Sequence, residues 1–325
     1  MINSYTFDDV LLEPRFSCIR SRKDVDISTT INTLHLSIPL ISANMATVTE
    51  STMALAMESS GGLGVLHRFC SIEDNIKMLS LSMLLANKVG VSIGVSNIEK
   101  ERAEALYDRG AWLFFIDIAN GASIQAAEQT QWLKSKYKDN ICLVVGNFST
   151  LKGIQAFKKE VGETNIPHVF KVGLGSGKIC SSRLIAGHGV GQFSAVRECS
   201  LQDTPIISDG GARHPGHVVL ALAAGAKAVM SGYLFAGTDE TPGELKNGMK
   251  VYRGSAYHNV ETYKTSEGVE MKIPYKGSVK QVIQHITGGI RSGLSYSNAR
   301  NLKELRENAN FQYLSDSTKK ESLAG

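Results

Sequence analysis

Residues 205–234 read PIISDGGARHPGHVVLALAAGAKAVMSGYL, and the fold follows from them. Pro205 to Gly210 is a short apolar run closing on Ser-Asp-Gly, and Ala228 to Leu234 is another, passing through Ser231-Gly232. Between them His217 to Gly225 has helical periodicity, with Val218, Val219, Leu222 and Ala223 on one face. Two apolar runs joined by a one-sided helix predict parallel strands, because a parallel pair needs a crossover of about a dozen residues or more. Working outward, six further runs of the same kind appear: Ile38 to Met45, Gly62 to His67, Val89 to Val95, Trp112 to Ala119, Cys142 to Asn147 and Val169 to Gly175. Ser51 to Ser60, carrying Met53, Leu55 and Ala56, is a helical segment of the same type. Successive runs begin roughly 23 to 30 residues apart, the length of one βα unit, with one wider gap between the sixth and seventh. Eight units predict an α/β fold, a (β/α)8 TIM barrel filling residues 1–325 as a single catalytic domain, with its chemistry at the carboxyl ends of the strands.

Two stretches exceed the repeat. Gly173 to Ser200 reads as an extended loop after the sixth strand, and Phe235 to Ile286 as a polar excursion after the eighth. Loops of that length in a compact domain are usually functional or disordered. Arg68 to Lys88 leaves room for only one helix between the second and third strands, and Ser315 to Gly325 reads as a polar, frayed tail.

Composition excludes several classes. With 42% apolar and 20% charged residues, the chain has the balance of an ordinary globular protein. Its 35 basic and 31 acidic residues leave a formal charge of +4 without a basic cluster, so nucleic acid is not expected as a partner. No apolar run approaches the roughly 18 residues needed to span a bilayer, and the N-terminus lacks the pattern of a secretory signal. Five scattered cysteines (Cys18, Cys70, Cys142, Cys180, Cys199) with no CxxC spacing suit a reducing interior, so a cytoplasmic location is expected. The histidines show no ligand spacing, and no transition metal is expected.

The densest chemical signal is the sixth loop, Lys171-Val172-Gly173-Leu174-Gly175-Ser176-Gly177-Lys178-Ile179-Cys180-Ser181-Ser182-Arg183. Three alternating glycines let N–H groups approach a phosphate, or carbonyls a monovalent cation. Lys178 adds positive charge beside that cradle, and Cys180, flanked by hydroxyls and Arg183, is placed as a nucleophile. Ser208-Asp209-Gly210-Gly211 closes the seventh strand and Ser231-Gly232 the eighth, where barrels of this kind commonly bind phosphate. A carboxylate there repels phosphate, so Asp209 is expected to accept from ribose hydroxyls, and phosphate plus ribose means a nucleotide. Arg68, ending the second strand, and Asp117, ending the fourth, point at the same mouth. No GxGxxG opens a helix, so a dinucleotide would bind to the barrel loops.

The sixth loop, the Asp209-Gly210-Gly211 turn and the N-terminal Phe7-Asp8-Asp9-Val10-Leu11-Leu12 resemble the IMP dehydrogenase and GMP reductase family, from about Tyr5 to Leu305. The resemblance implies a (β/α) barrel, usually tetrameric, in which the loop cysteine attacks C2 of a purine nucleotide. The two branches share that covalent intermediate. The dehydrogenase oxidises IMP and hydrolyses the adduct with a flap carrying Arg-Tyr; the reductase expels ammonia from GMP and reduces the adduct to IMP. The stretch after Tyr252-Arg253-Gly254 is too short for that flap and lacks Arg-Tyr, and no regulatory module is inserted after the second strand. Ala43-Asn44-Met45, Asp117-Ile118-Ala119-Asn120-Gly121, Val65-Leu66-His67-Arg68-Phe69 and Gly189-Val190-Gly191 are similar to GMP reductases; Ala236 to Glu244 and Glu267-Gly268-Val269-Glu270 are more like the dehydrogenase. Ser181-Ser182 and Gly175-Ser176-Gly177 stand where the family has a threonine pair and Gly-Pro-Gly.

On that resemblance the expected activity is NADPH-dependent reduction of GMP to IMP and ammonia, with an IMP dehydrogenase lacking the regulatory module as the alternative. Cys180, Ser182 and Glu267 would be catalytic. Lys178, Asp209, Gly210, Gly211, Gly232, Gly254 and Ser255 would hold the nucleotide. Arg68, Asp117 and Ala119 would face the cofactor, with Ser21, Arg22 and Tyr296 reaching a neighbour's cofactor site in a homotetramer. Gly175, Gly177, Cys180 and Arg183 would line a site for a monovalent cation such as K+. Two other classes remain readable: a flavin-dependent barrel oxidase, which leaves Cys180 idle, and a nucleotide-binding regulator without turnover.

Overall fold

Eight short strands form a closed parallel barrel in the computed structural model, which describes residues 4–177, 179–180, 182–254 and 269–321. They are β1 (Leu40–Ser42), β2 (Leu63–Leu66), β3 (Val89–Ile93), β4 (Leu113–Asp117), β5 (Cys142–Phe148), β6 (Val169–Val172), β7 (Ile206–Asp209) and β8 (Ala228–Ser231). Each pairs with the next, and β8 returns to β1 in the register Val229 to Leu40 and Ser231 to Ser42. Helices α1 (Ser51–Ser59), α2 (Ile72–Met83), α3 (Asn97–Tyr107), α4 (Ile124–Tyr137), α5 (Leu151–Val161), α6 (Gln192–Cys199), α7 (Pro215–Ala223) and α8 (Val279–Tyr296) cover the outside. This is a (β/α)8 TIM barrel; seven of the eight runs read from the sequence contain its strands, and the fifth, Cys142 to Asn147, stops one residue short of the end of β5 at Phe148.

Local chemistry explains the boundaries. The strands β2, β3, β6 and β8 are buried throughout, as expected of a parallel sheet covered by helices on one face and packed inward on the other. Hydroxyl side chains start four of the helices: Ser71, Ser123, Thr150 and Ser278 accept from backbone N–H groups of the first turns of α2, α4, α5 and α8. Pro215 opens α7, where its missing N–H costs nothing. Between β2 and β3 there is the single helix α2.

Three expectations about the loops are corrected. The sixth loop is interrupted by a short helix, Ser182–Ile185, and gives way at Gln192 to α6, whose Phe193, Ala195, Val196 and Cys199 are buried. The excursion after β8 ends at Ser278 rather than Ile286: Val279, Ile283, Ile286, Ile290 and Leu294 recur at three and four residues and bury one face of α8. Within the excursion Met249–Arg253 and Glu270–Pro274 pair antiparallel, with Lys250 buried and its Nζ donating to the carbonyls of Thr238 and Thr241 at 3.0 and 2.7 Å. The tail is not frayed as far as Glu321, because Asp316–Glu321 is helical and Lys319 Nζ lies 2.5 Å from Asp9 Oδ1.

The N-terminal segment straps the barrel beside its site. Val10–Leu12 pairs with Phe311–Tyr313, Phe7 is buried 5.7 Å from the His217 ring, and Asp8 is paired with Arg213 and lies 3.3 Å from His217 Nε2. Burial, then the neighbouring His214, push His217 down to about 4, with Asp8 opposing and Arg213 adding to the shift. The folded protein therefore refuses a proton that the unfolded chain accepts below its ordinary value of about 6.5. Stability is expected to fall as pH drops from about 6.5 towards 4, and His217→Asn to flatten that part of the profile in urea unfolding followed across pH.

Candidate active site

The carboxyl ends of the strands surround a cleft of about 520 Å³. Arg68 comes from the loop after β2, Asp117 and Ala119 from the end of β4, Gly175, Gly177, Cys180 and Ser182 from the loop after β6, Asp209 and Gly210 from β7, Gly232 from the loop after β8, and Gly254 from the hairpin. The barrel thus brings together residues as far apart in sequence as Arg68 and Gly254. Beside it lies a recess of about 170 Å³ between the Gly175-Ser176-Gly177 turn, Gly210-Gly211 and Gly232, with Arg183 and Arg213 on its wall. Gly175, Gly210 and Gly211 have φ of +74°, +83° and +77°, backbone that only glycine adopts freely. Recesses built from such turns suit an anion.

Cys180 is exposed, and its Sγ lies 3.4 Å from Ser182 Oγ on the cleft wall. The turn is held from both sides: Cys180 N–H donates to the Gly177 carbonyl at 3.0 Å, and Val269 N–H donates to that of Ile179 at 3.1 Å. Arg183 packs on Gly175 and Gly189 and donates to the Val190 carbonyl at 3.0 Å. Among the described residues no group of three or more His, Cys, Asp or Glu could hold a metal ion.

The cleft floor carries a cluster that the sequence reading missed. Lys171, in the middle of β6 and only 1% exposed, places Nζ 2.7 Å from Asp117 Oδ1 and 2.5 Å from Asp209 Oδ2, and bonds Asn147 Oδ1 as well. Asn44 donates to Asp117 Oδ2 at 2.9 Å, and Asn147 to Asp209 Oδ2 at 3.0 Å. Burial works to raise the Asp117 carboxyl, but the charge and hydrogen bond of Lys171, the bond from Asn44 and the charge of Arg68 hold it below the usual carboxylate range. Burial works to lower Lys171, and the two carboxylates reverse that, so it stays an ammonium. Tyr252, buried against the same floor, is pushed far up by burial and by the charge of Asp209, so it is a neutral phenol. A lone lysine inside an apolar strand was the signal available for Lys171. For Asn147 the signal was its place closing the fifth run at the barrel's carboxyl end; Tyr252 carried none.

Asp209 is in the cleft, but its Oδ2 is spent on Lys171 and Asn147, leaving Oδ1 for a ligand. Arg68 stacks 5.0 Å from the Phe69 ring and donates weakly to the Asp117 carbonyl, and its Nε is buried without a partner among the described residues. Gly211 and Arg183 line the recess rather than the cleft. Ser21, Arg22 and Tyr296 line neither: Ser21 caps a turn, the Arg22 guanidinium lies 6.0 Å over the Tyr296 ring, and Tyr296 faces an apolar groove along α7 and α8. Lys178, Ser255 and Glu267 lie outside the described residues.

Residues 4–324 match the IMP dehydrogenase / GMP reductase domain family. The chain belongs to this family. Inosine-5'-monophosphate dehydrogenase of Nitrosopumilus maritimus is 30% identical over 94% of each chain, and that of Borreliella burgdorferi 32% identical over 98% of this chain and 95% of the other. The GMP reductase of Leishmania donovani is 27% identical over 98% and 96%. A solved structure of a cysteine-to-alanine variant of GMP reductase from Trypanosoma brucei, in complex with guanosine 5'-monophosphate, is similar with a TM-score of 0.90 at 26% identity, covering 99% of this chain and 98% of that one. The family consists of oxidoreductases that act on purine nucleotides with a nicotinamide cofactor. A Cβ added at Gly232 would sit 2.5 Å from Met45 Sδ and 2.7 Å from Tyr252 Oη, between cleft and recess. Gly232→Ala is therefore expected to force Met45 and Tyr252 to shift and to weaken binding of a purine nucleotide in the cleft about tenfold or more, measured by calorimetric titration.

Proposed function

We propose that the chain is a GMP reductase, converting GMP to IMP and ammonia with NADPH. The observation that carries this reading is the meeting, in one cleft, of the Cys180 thiol and Ser182 hydroxyl with nucleotide-shaped groups at Asp209, Gly210 and Gly232. The similarity to a GMP reductase holding GMP supports it, as does the chain length between Gly254 and Val269, too short for a hydrolytic flap.

The steps follow from residue chemistry. The Cys180 thiolate adds to C2 of GMP, and the amino group leaves as ammonia once protonated, giving a thioimidate. An amine is a poor leaving group unless protonated, so the proton is assigned to Ser182 relaying from Glu267. The recess takes the phosphate on its glycine turns, Gly211 among them, and Asp209 Oδ1 accepts from the ribose in the cleft; Lys178, Gly254 and Ser255 are assigned to the nucleotide as well. The buried, unpartnered Nε of Arg68 fits a polar ligand in the cleft, so Arg68, Asp117 and Ala119 are assigned to the nicotinamide cofactor. A reduced nicotinamide held there would supply a hydride to C2 of the thioimidate, after which the C2–S bond breaks, releasing IMP and returning the Cys180 thiolate. A monovalent cation, K+ by preference, is assigned to the turn of Gly175, Gly177, Cys180 and Arg183, and a cytoplasmic homotetramer, with Ser21, Arg22 and Tyr296 facing a neighbour's cofactor, completes the reading. The barrel acts as one catalytic module.

The relatives at 30% and 32% identity are named inosine-5'-monophosphate dehydrogenase, which favours IMP oxidation as the second reading. Near-ultraviolet absorbance of the nicotinamide separates the two. GMP with NADPH is expected to lose absorbance while ammonia and IMP form; a rise with IMP and NAD and no loss with GMP would reverse the assignment. Cys180→Ala is expected to cut turnover by about 10³-fold or more and to keep GMP binding, as measured by stopped assay and titration.

A further inference from the structure

Lys171 occupies an inward position where barrels of this fold usually place a branched apolar side chain. An ammonium has three donors. Those of Lys171 meet three acceptors on three different strands: Asp117 on β4, Asn147 on β5 and Asp209 on β7. The two carboxylates are 16% and 18% exposed, so neither is well solvated once the ammonium is gone. Among the described residues, the other charged or titratable groups that act on them are Arg68 and Tyr252. Arg68 reaches Asp117 from the loop after β2 and is itself held 3.8 Å from Glu99 of α3, while Tyr252 approaches Asp209 from the hairpin.

We propose that Lys171 is a positioning residue that sets Asp209 for the nucleotide and Asp117 for the cofactor and couples the two sites. The inference rests on the assignment of those two carboxylates made above. Because one ammonium is shared, neutralising Asp117 lets Lys171 turn wholly to Asp209 and withdraws that carboxylate from its ligand. A change on the cofactor side then appears as a loss on the nucleotide side. Removing Lys171 leaves two crowded carboxylates, one of which is protonated or turned away, and nucleotide binding suffers by a different route.

A double-mutant cycle tests this by calorimetric titration of GMP, and separately of IMP, into the full chain without cofactor. Asp117→Asn, at a residue assigned above to the cofactor rather than to the nucleotide, is expected to weaken nucleotide binding about threefold or more; unchanged affinity overturns the coupling. Lys171→Met is expected to weaken it about tenfold or more, and Lys171→Met/Asp117→Asn to bind at least about threefold better than Lys171→Met. The same substitution at Asp117 thus harms in one background and helps in the other, a reversal that a merely structural lysine does not produce. Additive effects overturn the proposal. Should Lys171→Met not fold, Asp117→Asn in the native background decides alone. Wild-type protein that binds neither nucleotide overturns the functional reading and this inference together, whereas binding with an additive cycle overturns only the inference.

Discussion

Backbone pairing of β8 with β1 closes the barrel, and each residue of the site owes its neighbours to that closure. A parallel sheet left open would present two edges and spread its carboxyl ends along a line. Closed on itself, it brings the ends of β4, β5, β6 and β7 around one point, so Asp117, Asn147, Lys171 and Asp209 come within hydrogen-bond distance although they span 92 positions between Asp117 and Asp209. The covered strands supply the burial that makes these charged bonds strong and their loss costly.

Glycine does the complementary work at the rim. A Cβ at Gly173 would lie 1.9 Å from the Asp209 carbonyl, so the loop after β6 can leave its strand only by pressing bare backbone against the end of β7. That close approach sets the turn that carries Cys180 beside the Asp209-Gly210-Gly211 turn and makes the recess between them. The hairpin of Met249–Arg253 and Glu270–Pro274 adds the third wall, anchored by the Lys250 ammonium among carbonyls and by the Thr47 hydroxyl on the Arg253 backbone N–H at 3.1 Å. Charge, close backbone and a thiol are thus arranged by separate devices that share one strand end.

The loops show where sequence reading loses resolution. Val279, Ile283 and Ile286 already carried a helical spacing, but the polar stretch before them hid where the loop stops. The tail is polar from Ser315 to Ser322, and its helix is held by a partner, Asp9, that lies at the other end of the chain. Lys171 stood in plain view inside an apolar run, yet a single lysine has no period, and its three partners come from strands that no local pattern links to it.

Local pattern by itself determined the number of strand and helix units, the parallel order, the end of the barrel that carries the chemistry, and the loops that hold Cys180 and Asp209, because hydrophobic period and glycine spacing act over a few residues at a time. Tertiary structure alone decided which distant side chains meet. It placed Cys180 3.4 Å from Ser182 on the wall of a cleft that Arg68, Asp117 and Gly232 also line, turned Asp209 partly inward to Lys171, and kept Ser21, Arg22 and Tyr296 away from that cleft. Distances across a barrel depend on closure, register and burial together, and no local stretch of sequence contains them.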